Sequence, residues 1–152
     1  MEPSSKLYLW HILYKETVMK LTVYADNHNA IPDTESSQSV HYSEAIESPN
    51  AVFDEVEVFD ALEYTGYDFI NSMQQKVRHG GKIKFVGTDA IEVIRAIHSG
   101  SAGLPEASKV LMSGRSHLTS VHDIKSTMES LGLKVGLVGI MGNRYTVEGV
   151  RD

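Results

Sequence analysis

Lys134-Val135-Gly136-Leu137-Val138-Gly139-Ile140-Met141 and Arg144-Tyr145-Thr146-Val147-Glu148-Gly149-Val150 are two β-rich runs separated only by Gly142-Asn143. A Gly-Asn pair between such runs is the signal of a two-residue hairpin, so the last two strands are expected to be antiparallel. Upstream the pattern changes to helices and isolated strands. Ser120 is a natural N-cap for a helix over Val121–Leu131, with Asp123 favourably placed in its first turn and Gly132 as its stop. Leu104–Met112 reads as a short helix whose Pro105 sits in the first turn, where a missing N–H does no harm. Thr88-Asp89 caps another helix, with Ile91, Ile94 and Ile97 on its expected apolar face, Val93 beside them and Gly100 at its end.

Lys82–Val86 is a strand, preceded by helical spacing at Phe69, Ile70, Met73 and Val77 that predicts a helix over Tyr67–His79, stopped by Gly80-Gly81. Val52–Phe59 alternates with period two and is a strand. The polar stretch from Asp26 to Asn50, with Pro32 and Pro49, reads as loop with room for one short strand at Ser39–Tyr42. Lys20–Ala25 is the first strand. Alternating strands and helices imply right-handed crossovers and a parallel sheet, to which the terminal hairpin adds an antiparallel strand.

Composition narrows the function. The 152 residues suffice for one domain with a real core, and the 41% hydrophobic and 22% charged fractions are ordinary for a soluble globular chain. A net charge of −6 argues against nonspecific nucleic-acid binding, which needs a basic face. With no cysteine there is no disulfide, thiolate metal site or Cys nucleophile, which fits a reducing cytoplasm. No apolar run reaches membrane-spanning length. Residues 19–152 read as a single domain, with Met19 a natural start. Residues 1–18, including Leu7-Tyr8-Leu9-Trp10, read as an N-terminal extension that docks on it or as a non-native leader.

Four stretches stand out together: Asp54–Tyr64, ending Leu62-Glu63-Tyr64; Val77-Arg78-His79-Gly80-Gly81-Lys82-Ile83; Ser116-His117-Leu118-Thr119 with Leu131-Gly132-Leu133-Lys134-Val135; and Tyr145–Arg151. In this order they resemble the class I S-adenosylmethionine-dependent methyltransferases. The first is similar to that family's fourth strand and the segment after it, the second to the entry into its fifth strand, and the others to its late segments. The resemblance implies a reduced Rossmann-like α/β fold, a mostly parallel sheet with helices on both faces and a C-terminal antiparallel β-hairpin. It also implies S-adenosylmethionine as cofactor. The front end departs from the family: its cofactor loop uses glycines for close backbone approach, and here no glycine occurs between Met1 and Thr65.

Candidate site residues follow from the strand ends, where open α/β sheets place ligands. Asp60, Leu62 and Glu63 follow the Val52–Phe59 strand, in a segment that lines the cofactor pocket of the family. Asp26 and His28 follow the first strand, and Glu44 lies where the family often has a ribose-binding acid. Asp60 and His28 are the candidate general bases. Turn formation, capping and simple solvation account for the same residue types. Methyl transfer itself needs little more than alignment of a nucleophile with an already activated methyl group, so no nucleophilic residue is required. His98, His117 and His122 lack the spacing of a metal motif, and no metal is expected. Loss of early strand–helix units would leave a sheet edge to be covered by a second copy or another protein, the alternative role being a non-catalytic interaction module.

Overall fold

The computed structural model describes residues 18–26 and 29–152. Residues 1–17 and His28 lie outside the described residues. Six strands form one sheet: β1 (Lys20–Tyr24), β2 (Ser37–His41), β3 (Phe53–Phe59), β4 (Val77–Thr88), β5 (Lys134–Met141) and β6 (Arg144–Val150). Their spatial order is β2-β1-β3-β4-β6-β5. The first four pair in parallel, and β6 runs antiparallel to both β4 and β5. The mostly parallel α/β sheet with its late hairpin is therefore present. Gly142 has φ +63 and Asn143 does not share a positive φ, the backbone pattern of a II′ hairpin turn.

Among the described residues, five helices accompany the sheet: α1 (Leu62–Thr65), α2 (Asp68–Gln74), α3 (Ala90–Ser99), α4 (Leu104–Met112) and α5 (Val121–Ser130). Alternation along the strands sorts side chains to two faces. Leu21, Val23, Val56, Val58, Ile83, Phe85 and Val147 share one face and are nearly inaccessible. Phe69, Ile70 and Met73 of α2 and Ile124 and Met128 of α5 complete this core. The opposite face carries Lys20, Glu57, Lys84, Lys82 and Glu148. They are paired as Lys20–Glu57 at 3.0 Å, Lys84–Glu57 at 3.5 Å and Lys82–Glu148 at 3.7 Å. Buried parallel sheets usually read as continuous apolar runs; β3 alternates from Glu55 to Phe59, after an irregularity between Phe53 and Glu55, with its buried side chains facing this core.

Three local expectations are corrected. The short strand is Ser37–His41, pairing in parallel with β1 across a connection that contains no α-helix among the described residues. The helix expected over Tyr67–His79 ends at Gln74, and Val77–Gly81 instead begins β4. Val77 pairs with Phe53 and is fully buried, and the Gly80 N–H bonds Arg151 O at 2.6 Å, so tertiary pairing outweighs helical spacing. Gly80-Gly81 thus forms a strand irregularity in place of a helix stop. Gly80 takes φ +85, and a Cβ on Gly81 would stand 2.7 Å from Asp54 O. The third correction concerns α3. Its buried residues are Ala90 and Val93, while Ile91 and Ile94 are 48% and 49% exposed.

Asp89 explains the placement of α3 and α5. Its Oδ1 accepts from the Glu92 N–H at 3.1 Å, capping α3, and its Oδ2 accepts from the Val121 N–H at 2.9 Å, at the first residue of α5. One carboxylate thus serves two helix starts. Lys76 performs a comparable task near the amino end of β4. Its Nζ donates to Ile46 O, Ser48 O and Asn50 Oδ1 at 2.6, 2.6 and 2.9 Å, pinning the turn before β3.

Candidate functional site

The carboxyl ends of β1, β2, β3 and β4 meet at one edge, and β6, running antiparallel, starts there. Asp60 follows β3 with φ +58, a left-handed conformation uncommon for a side-chain-bearing residue. It is held by its N–H donating to Val86 O at 2.8 Å and by Arg144. The Arg144 guanidinium donates to both Asp60 oxygens, at 2.5 and 3.1 Å. Asp60 is thereby committed to an ion pair across β4.

Leu62 is buried in the core, and Glu63 beside it is only 2% exposed. Glu63 Oε1 accepts from the Thr88 N–H at 2.9 Å and lies 3.1 Å from the Thr119 hydroxyl. Its Oε2 and the hydroxyl of Tyr145 are buried and find no partner. The two groups are neighbours. A Cβ on Gly87 would collide with the Tyr145 hydroxyl and stand 2.5 Å from Glu63 Oε1. Burial pushes the Glu63 carboxyl above its ordinary range, outweighing the bond from the Thr88 N–H. Burial also raises the Tyr145 phenol well above its usual range, and the Glu63 charge adds to the rise.

Farther along the edge, aromatic rings form a ladder. Tyr24 ends β1 and meets His41, at the end of β2, edge-on with ring centres 5.8 Å apart. His41 lies 4.3 Å from Tyr42, and Tyr42 stacks on Tyr64 at 5.4 Å with an interplanar angle of 12°. All four rings are partly exposed. Glu44, just beyond the ladder, is exposed and opens the 3-10 turn Ala45–Glu47 without a side-chain capping bond. Asp26 is exposed after β1, with its carbonyl accepting from the Asn29 N–H.

The loop between α4 and α5 wraps around Tyr64. Tyr64 OH donates to Ser113 O at 3.4 Å, and Ser116 Oγ donates to Tyr64 O at 3.1 Å. Between these two contacts lies Arg115, whose Nε and Nη1 are shielded from water and make no hydrogen bond. Buried guanidinium donors without an acceptor are rare and need an explanation. Among the described residues, no group of three or more His, Cys, Asp or Glu side chains is placed to hold a metal. A cavity of about 180 Å³ lies on the sheet as well, lined by Glu55, Val56, Glu57, Lys82, Lys84 and Glu148.

Sequence reasoning reached Asp60 and Glu63 but missed Arg144, Tyr145 and the ladder. An antiparallel last strand must begin at the carboxyl edge, so the position of Arg144 and Tyr145 after the hairpin was a usable signal. Arg115 carried none.

No family model and no curated protein matches the chain by sequence. Solved structures match it in shape. An S-adenosylmethionine-dependent methyltransferase from Mesorhizobium loti superposes with TM-score 0.63 at 11% identity, covering 99% of both chains. A possible histamine N-methyltransferase from Thermotoga maritima gives 0.61 at 9% identity, covering 97% of this chain and 95% of its own. An O-methyltransferase family protein from Burkholderia thailandensis gives 0.62 at 14% identity over 97% of this chain, which spans 56% of that protein. The chain has a class I methyltransferase-like fold.

Proposed function

We propose that the chain binds S-adenosylmethionine or a related nucleoside across the carboxyl edge of its sheet. The observation that carries this reading is the partly exposed ladder Tyr24, His41, Tyr42 and Tyr64, a stacking surface at the strand ends where such folds place ligands. The residues present fit a nucleoside: rings for the base and the exposed carboxylate of Glu44 for ribose hydroxyls. They fit the amino-acid end of the cofactor less closely, because no glycine occurs between β1 and Thr65.

When bound, S-adenosylmethionine supplies an activated methyl group. The chain's own residues would orient an acceptor and exclude water. Asp60 is a positioning group in this reading, since Arg144 engages both its oxygens, and His28, which follows the first strand in sequence, is the other candidate base. A cytoplasmic setting fits the cysteine-free sequence. Among the described residues, no helix is long and apolar enough to cross a membrane.

Titration calorimetry with S-adenosylmethionine and S-adenosylhomocysteine tests the proposal. Binding is expected, with Tyr64→Ala weakening it about tenfold, the range of one stacking contact. Absence of both heat and thermal shift at millimolar ligand would overturn it.

A further inference from the structure

We propose that the chain self-associates through β5, pairing edge to edge and antiparallel with β5 of a second copy. This goes beyond the ligand reading and does not depend on it. β5 is the last strand in the sheet order, so one side of its backbone has no strand partner among the described residues. Such a row of unpaired N–H and C=O groups templates another strand.

The two sheet edges differ sharply. At β2 the chain blunts its own edge: the Asp33 carboxylate accepts from the Ser39 N–H at 2.8 Å, and the Ser39 hydroxyl accepts from the Ile31 N–H at 2.9 Å. The side chains of that strand are also mostly polar. At β5, among the described residues, no charge, proline or loop plays this part beyond Lys134. Leu137, Val138, Ile140 and Met141 are 50%, 45%, 44% and 85% exposed. The register irregularity lies near the strand start, between Val135 and Leu137, leaving the rest regular.

The occupant follows from this chemistry. A backbone edge demands an extended segment, and apolar side chains on both faces demand one without charges. β5 itself meets both conditions, since nothing from Val135 to Asn143 ionises. Two copies of a net −6 chain would repel, but this strip brings no carboxylate into the contact. A two-fold axis through Val138 sets each Leu137 against Gly139 of the other copy. A Cβ at Gly139 would meet nothing within 4 Å, so the Leu has room. The contact is isologous and closes at a dimer.

Sedimentation velocity of the full chain, from low to several hundred micromolar, tests this directly. A dimer is expected, reduced to monomer by Val138→Lys and unchanged by Ser39→Lys at the opposite edge, with far-ultraviolet circular dichroism confirming that both variants fold. A wild type that stays monomeric throughout overturns the proposal. So does a dimer that survives Val138→Lys, one broken only by Ser39→Lys, or growth into open-ended polymers.

Discussion

Arg144, the first residue of the last strand, grips both carboxylate oxygens of Asp60, 84 residues earlier in the chain. This pair ties the start of the antiparallel hairpin strand to the carboxyl end of β3, over the end of β4. It also holds Asp60 in a backbone conformation that only glycine adopts without cost.

The pair predicts an order of stabilities. Asp60→Ala loses two charge-assisted bonds and keeps a left-handed Cβ penalty, so it is expected to cost about 2–3 kcal/mol. Asp60→Gly loses the same bonds without that penalty and should cost about 1 kcal/mol less. Urea denaturation of the two variants gives the comparison. Equal losses would show that the backbone conformation is not held against strain.

Glu63 predicts a pH dependence. Its carboxyl is raised above the ordinary 4.5 by burial. The folded state therefore holds the proton more tightly than the unfolded chain, and stability falls as pH rises from about 4.5 towards the raised folded value. Glu63→Gln retains an acceptor for the Thr88 N–H and the Thr119 hydroxyl and cannot ionise. It should flatten this dependence, matching wild type near pH 4.5 and exceeding it at higher pH. Melting temperatures of both proteins across that range provide the check, and parallel pH curves would contradict the assignment.

Gly87 predicts a steric asymmetry between glycines. Adding a Cβ there drives it into the Tyr145 hydroxyl and Glu63 Oε1, so Gly87→Ala should cost about 3 kcal/mol or more. Gly136→Ala, where a Cβ meets nothing within 4 Å, should change stability by under about 1 kcal/mol. Denaturation midpoints of the two variants, measured side by side, decide it.

Much of the fold was legible in the residues. Gly142-Asn143 specified a turn, and with it the antiparallel partner of β4, because few other residue pairs take that turn's backbone. Ser120 and Asp89 marked helix starts because their short side chains cap the N–H groups that a helix leaves unpaired. The alternation within β3 was also readable, and it carried more than strand identity: it encoded the charged face of the sheet.

Other features exist only between distant segments. Val77–Gly81 has helical spacing and glycines suited to a helix stop, yet it joins β4 because Phe53 and Arg151 offer partners. The apolar stripe of α3 looked like a core face, but only Ala90 and Val93 find the core. The site divides in the same way. The sequence by itself determined which acids follow the strands. Only the tertiary structure decided that Arg144 occupies Asp60, that Glu63 is buried beside Tyr145, and that four aromatic rings from three segments align. The physical reason is that charge pairing, burial and ring stacking depend on distances between groups far apart in the chain, and spacing along one segment does not report them.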